Sequence, residues 1–167
     1  MNLEELYKKN CETPSDINQH LPTLKRYYDQ CDSITEIGVR GCISLSAALA
    51  SKASKVTAID IANVAVPECD KLTFICASSL DIEIEKTDFL FIDSYHTYDQ
   101  LKAELNLHAK NANKWVGFHD TYYWGVNGEN GTQGLMFAIN EFLEENKEWS
   151  VCYSTEINNG LTIIERK

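Results

Sequence analysis

Positive charge is scarce in this chain. Fifteen Lys and Arg face 25 Asp and Glu among 167 residues, a formal net charge of −10. The densest basic stretch is the pair Lys25-Arg26. Duplex nucleic acid and anionic membrane surfaces are bound through Lys/Arg clusters that neutralise phosphates, so both are disfavoured as partners. No apolar run approaches the roughly 20 residues that cross a bilayer. The opening MNLEELYKKN has neither the basic nor the apolar region of a secretory signal. Six cysteines stand at 11, 31, 42, 69, 76 and 152, and no two form a C-x-x-C pair. Most lie in apolar runs, as small buried hydrophobes do, so reduced structural thiols in a cytoplasmic protein are the expectation. No repeat, low-complexity tract or linker divides the chain, and its length suits one domain.

A third glycine is also missing from the most informative stretch, ITEIGVRGCISLSAALA at 34–50. An apolar run carrying Glu36 leads into a turn with Gly38 and Gly41, then into an apolar helix. About twenty residues on, VTAID closes on Asp60. This order suits a βαβ unit that holds a nucleoside: glycines admit a close ligand, and the second strand's terminal acid accepts from ribose hydroxyls. A dinucleotide loop needs G-x-G-x-x-G to cradle a pyrophosphate. Here a glutamate precedes two glycines, an arrangement suited to a ligand with an ammonium or sulfonium end. An ordinary strand-turn-helix with incidental glycines is the bland alternative.

Short runs rich in Ile, Val and Phe recur at 34–38, 55–60, 72–76, 88–93 and 115–119. Helical patterns lie between them at 44–52, 62–69 and 97–110. Alternation of this kind predicts a parallel sheet with right-handed crossovers. Helices at 3–10 and 15–30, the second capped by Ser15 or Asp16, precede it as a helical cover over 1–32, with the core spanning 33–167. The 77–86 connection reads as a turn. A loop at 121–131, a helix at 132–146 and two strands at 149–154 and 160–166 complete the chain. Asn158-Asn159-Gly160 marks an antiparallel hairpin. The expected fold is therefore α/β: one Rossmann-like domain with a seven-stranded, mostly parallel sheet.

In open α/β sheets, ligands sit beyond the carboxyl ends of the strands. Glu36, Asp60, Asp93, His96, His119 and Asp120 all fall there and are expected on one rim. Two carboxylates with two imidazoles can bind a divalent cation, position a nucleophile and take a proton. Each has a plainer use: Asp93 as a cap for the helix near Thr97, Asp120 as an Asx turn, His119 as a satisfied core histidine. His20 is read as a surface residue or part of a substrate lid. His108, late in a polar helix, is expected in solvent, complementing the helix dipole. Tyr122, Tyr123 and Trp124 cannot all point inward, so at least one should line a pocket or interface.

The ordered set EIGVRGCIS, FIDSYHTYDQLKAEL, GFHDT and NNGLTIIER resembles class I S-adenosylmethionine (SAM) methyltransferases, within them the small family that includes macrolide-sugar and glycan O-methyltransferases. The resemblance covers residues from about 15 to the end. It implies SAM as cofactor, Mg²⁺ or another divalent cation, and O-methylation of a sugar or other polyhydroxylated small molecule. It places Glu36, Gly38, Arg40, Gly41, Ser44, Asp60, Ile61, Ser78, Ser79 and Asp93 around SAM, with Glu36, Gly38 and Gly41 at the methionine end. Serines stand where family members often carry an acid beside adenine. Asp93 and Asp120 become metal ligands, with His119 a third where relatives carry an acid. His96 becomes the general base of a D-x-x-H pattern. His20, Tyr122, Tyr123 and Trp124 become substrate contacts, and a homodimer is an open possibility. Rival readings are a metal-independent methyltransferase, a SAM-binding accessory module without turnover, and an NAD-linked enzyme.

Overall fold

A computed structural model of the chain describes residues 2–167. Helix α1 (Leu3–Glu12) begins in a capping box, Asn2 and Glu5 each bonding the other's backbone N–H. A 3₁₀ turn (Asn18–His20) leads into α2 (Leu21–Tyr28), with Pro22 in its first turn. Ser15 Oγ accepts from the Asn18 amide, so the expected cap exists, but the helix is shorter than 15–30.

The core then runs β1 (Ser33–Ile37), α3 (Ile43–Leu49), β2 (Lys55–Asp60), β3 (Leu72–Cys76), β4 (Thr87–Ile92), α4 (Tyr98–His108), β5 (Ala112–His119), α5 (Leu135–Glu145), β6 (Trp149–Thr155) and β7 (Leu161–Arg166). One sheet contains all seven strands in the order β3-β2-β1-β4-β5-β7-β6. Strands β1 to β5 are parallel, and β7 is antiparallel to both neighbours. That is the expected single Rossmann-like sheet with its antiparallel closing hairpin. Asn158, Asn159 and Gly160 all take positive φ in the hairpin turn.

Central β4 is buried along its whole length, and its alternation feeds two cores. Phe89 and Phe91 join α2 and α3 on one face, with Tyr28 packed edge-on against Phe89. Leu90 and Ile92 join Leu101, Leu105, Ile139 and Phe142 of α4 and α5 on the other. Burying four such side chains contributes on the order of 1.5–3 kcal/mol each.

The helix expected at 62–69 does not form; residues 63–69 take no regular structure. Val64 and Val66 pack against the core two residues apart, the spacing of extended chain, and Pro67 restrains Val66 from the helical region. The connection after β3 is likewise without a helix, as expected. All six cysteines are free; Cys31 and Cys42 are buried, whereas Cys76 is exposed. No helix among the described residues is long and apolar enough to cross a membrane.

Candidate active site at the strand ends

Two adjoining cavities open beyond the carboxyl ends of β1, β2, β4 and β5. The larger, about 580 Å³, is lined by Ile37, Ile59, Asp60, Ile61, Ala62, Val64, Ala77, Ser78, Ser79 and Gln100. The smaller, about 270 Å³, holds Asp16, Ser44, His96, Asp120 and Glu129. Gly38, Arg40, Asp93, Ser94 and Tyr95 line both. A ligand in the first can thus present one end to the second across the Gly38–Asp93 junction.

That junction explains Gly38. Its φ is +87°, and a Cβ built there would lie 2.0 Å from the Asp93 carbonyl oxygen. Any side chain would force β1 and β4 apart at the rim. The loop is tied to β2 as well. Asp60 Oδ2 accepts from the Val39 (2.8 Å) and Arg40 (3.0 Å) amides, and Oδ1 accepts from Ala62 (2.8 Å). Burial works against ionisation of Asp60, but these three donors lower its pKa below the ordinary value. A carboxylate has about four acceptor positions, so both oxygens keep room for ribose hydroxyls. Arg40 turns its guanidinium outward to Asp16 (2.8 Å), bridging the glycine loop to the N-terminal segment at the cavity mouths.

Glu36 stands apart from its expected place. It is fully buried, accepts from Ser44 Oγ (2.7 Å), and lines neither cavity. Its Oε2 has no partner. Burial and the nearby Asp93 charge push its pKa up to about 8 against the Ser44 hydrogen bond. Glu36 therefore reaches the smaller cavity only through Ser44.

The smaller cavity is built around carboxylates. His96 directs Nε2 at Asp93 Oδ1 (3.2 Å) and Asp120 Oδ2 (3.0 Å), and Nδ1 at Glu129 Oε2 (3.1 Å). Burial opposes a charge on His96, yet Asp120 and Asp93 raise its pKa to about 10. The ring stacks on Trp124, 6.4 Å between centroids and 12° between planes. Behind it, His119 Nε2 donates to the Asp16 carbonyl (2.9 Å), because a carbonyl can only accept. Its Nδ1 therefore faces Asp93 Oδ1 (3.3 Å) and Asp120 Oδ2 (3.5 Å). Burial disfavours the charged forms of Asp93 and His119. Their mutual bond prevails: with the His96 contact it lowers the Asp93 pKa, and with the Asp120 charge it raises that of His119.

Asp93, His119 and Asp120 each offer one ligand atom within 4.8 Å of the others. Asp120 Oδ1 is buried with no hydrogen-bond partner, an orphan that a cation would satisfy. A His ring whose far nitrogen is anchored to a carbonyl is how metal-ligating imidazoles are oriented. The donor set fits a divalent cation. One imidazole beside two carboxylates suits Mn²⁺, Fe²⁺ or Zn²⁺ at least as well as the oxygen-preferring Mg²⁺.

No protein-family model matches the chain, and no curated protein does. Solved structures do. A Staphylococcus aureus protein assigned as a caffeoyl-CoA O-methyltransferase aligns at 18% identity, over 100% of this chain and 93% of its own, with a TM-score of 0.68. An O-methyltransferase from Bacillus cereus, in complex with S-adenosylhomocysteine (SAH), aligns at 16% over 99% and 90%, TM-score 0.63. MycE, a methyltransferase of mycinamycin biosynthesis in complex with Mg and SAH, aligns at 15% over 99% of this chain and 54% of its own, TM-score 0.68. The chain has the class I SAM-dependent methyltransferase fold. In this methyltransferase fold the larger cavity lies at the β1/β4 switch point, where open α/β sheets hold their ligands.

Other expected residues lie elsewhere. His20 is buried, not on the surface: its Nε2 meets the Asn158 carbonyl (3.0 Å), and its ring packs edge-on to His119 at 5.7 Å. Tyr122 and Tyr123 are exposed, and with Trp124 they line neither cavity. His108 is fully buried rather than solvated, with burial lowering its pKa. Sequence reasoning missed Glu129, Asp16, Asn158 and Gln100. Glu129 sits in the glycine-bearing 121–131 loop, whose fold returns its amide to the His96 carbonyl (2.9 Å). Asn158 reaches back across the chain to bond the Gln19 amide and the Ser15 carbonyl.

Proposed function

We propose that this protein is a SAM-dependent O-methyltransferase acting on a hydroxyl of a sugar or other polyhydroxylated small molecule, assisted by a divalent cation. The observation that carries this reading is the adjacency of a nucleoside-sized cleft to a cavity lined by Asp93, Asp120 and His96, with His119 packed behind the two carboxylates and one Asp120 oxygen orphaned. The SAH held by MycE and by the B. cereus enzyme, on the same fold, supports the cofactor.

Asp60 would accept from the ribose hydroxyls, Ile61 and Ser78 would flank the base, and Gly38 would let the methionine end pass Asp93. Bound SAM would supply an electrophilic methyl group, and a cation held by Asp93, Asp120 and His119 would lower the pKa of an alcohol. His96 Nε2, beside both carboxylates, would be the group placed to take the hydroxyl proton during methyl transfer. Glu129, bonded to Nδ1, holds the ring in the orientation this needs. A cation would also replace His96 as the counter-charge of Asp93 and Asp120, freeing Nε2 to act as a base.

Transfer of a labelled methyl group from SAM to a panel of sugars and polyols tests the reading. Activity that a chelator abolishes and Mn²⁺ or Mg²⁺ restores supports it. Chelator-insensitive activity removes the cation from the mechanism. SAM binding without transfer to any acceptor favours an accessory module.

A further inference from the structure

Beneath the larger cavity lies a polar network that the proposed chemistry does not use. Glu104 of α4 is fully buried, and among the described residues it forms no ion pair with a Lys or Arg. Its Oε1 accepts from Ser79 Oγ (2.7 Å) and Gln100 Nε2 (2.9 Å), and its Oε2 from Ser94 Oγ (2.8 Å). Gln100 Nε2 also donates to Ser79 Oγ at 3.2 Å. Ser79 is held from its other side, since His108 Nε2 donates to its carbonyl at 2.8 Å. Ser79, Ser94 and Gln100, the three donors to Glu104, all line the cleft. So elaborate a buried arrangement costs stability unless every member is satisfied, and it fixes the direction of each group it contains.

The fixed direction has a chemical meaning at Gln100. A carboxylate only accepts, so the amide must turn its NH₂ toward Glu104, and its second N–H goes to Ser79. Both donors are spent. Among the described residues, the carbonyl oxygen of Gln100 meets no donor, and the residue lies on the cleft wall with Ser78 and Ile61. The wall therefore offers a locked acceptor at the end of the cleft where the nucleobase would lie.

We propose that Gln100, oriented by the buried Glu104, reads the six-position of the cofactor's purine, accepting a hydrogen bond from an exocyclic amine and selecting adenine over a 6-oxopurine. This inference rests on the methyltransferase reading. A 6-oxo group would set two acceptors face to face, and a flip of the Gln100 amide to relieve that clash would turn its oxygen onto Glu104. Gln100 is a specificity residue and Glu104 a positioning residue.

Calorimetric titration with SAH and with S-inosylhomocysteine, its 6-oxo counterpart, provides the test. The wild-type protein is expected to prefer SAH by about tenfold or more, the value of one well-placed hydrogen bond. Gln100→Leu should weaken SAH by about tenfold and bring the two affinities together. Glu104→Gln, which keeps an acceptor for Gln100, should retain the preference, whereas Glu104→Leu should lose it. Because Glu104→Leu removes a buried partner and can fail to fold, Gln100→Leu, at the cleft wall, is the deciding variant. An unchanged SAH preference in Gln100→Leu overturns this inference and leaves the methyltransferase reading standing. No SAH binding by the wild-type protein overturns both.

Discussion

The two cavities share a wall and differ in how finished they are. In the larger cavity Asp60 is held by three backbone amides, and Ser79 and Ser94 by Glu104. The smaller cavity is incomplete by itself. Asp93, Asp120 and Glu129 converge on His96, whose pKa Asp120 and Asp93 raise to about 10 against its burial, and one Asp120 oxygen is left with nothing. A preformed cleft can bind its ligand without rearrangement, whereas clustered buried charge awaits compensation. Binding and chemistry are thus expected to separate cleanly between the two.

His96→Ala should separate them most sharply. Turnover is expected to fall about 10²–10⁴-fold, the usual worth of a positioned base, with SAH affinity nearly unchanged. Steady-state rates set beside calorimetry on the same variant check this, and an equally active variant breaks the assignment of His96. Asp60→Ala should do the reverse. Loss of a charged acceptor, together with the loop it tethers, is expected to weaken SAH about 10–100-fold. Cation binding in the smaller cavity, followed by Mn²⁺ titration, should persist in that variant.

The smallest effect concerns Glu36, which belongs to neither cavity. Its carboxyl titrates near 8 in the fold against an ordinary value of 4.5, so the folded state holds a proton that the unfolded chain releases. Stability attributable to this group therefore falls as pH rises from about 4.5 to about 8. Glu36→Gln should remove that slope, raising the melting temperature by several degrees at pH 8 and little at pH 5. Melting curves of the ligand-free protein across this range decide it. A variant with the wild-type slope shows that Glu36 is ionised in the fold.

Much of this was legible in the residues. The apolar run of β4, the Gly38 turn and the Asn158-Asn159-Gly160 hairpin announced the sheet because each depends on local pattern: continuous burial, positive φ, a tight turn. Asp60, Asp93 and Asp120 were legible for the same reason, since topology alone carries them to one rim, whereas Glu36, one residue short of the end of β1, turns into the core instead. The inner face of α4 was not. Glu104 and His108 look like a solvated helix side, and they are buried only because Ser79 and Ser94 arrive from distant strand ends to satisfy them. Glu129 was hidden similarly, its role set by a loop folding back onto His96. At 62–69, valines at a two-residue spacing before a proline argued for extended chain, and a helix was expected in its place.

The most direct test of the central claim is calorimetric titration of the purified protein with SAH, with and without Mn²⁺. The structure predicts one micromolar site per chain, present in either condition because the cleft is complete without the cation, and weakened in Asp60→Ala. No binding under either condition would contradict the account and leave an α/β domain whose methyltransferase fold serves some other purpose.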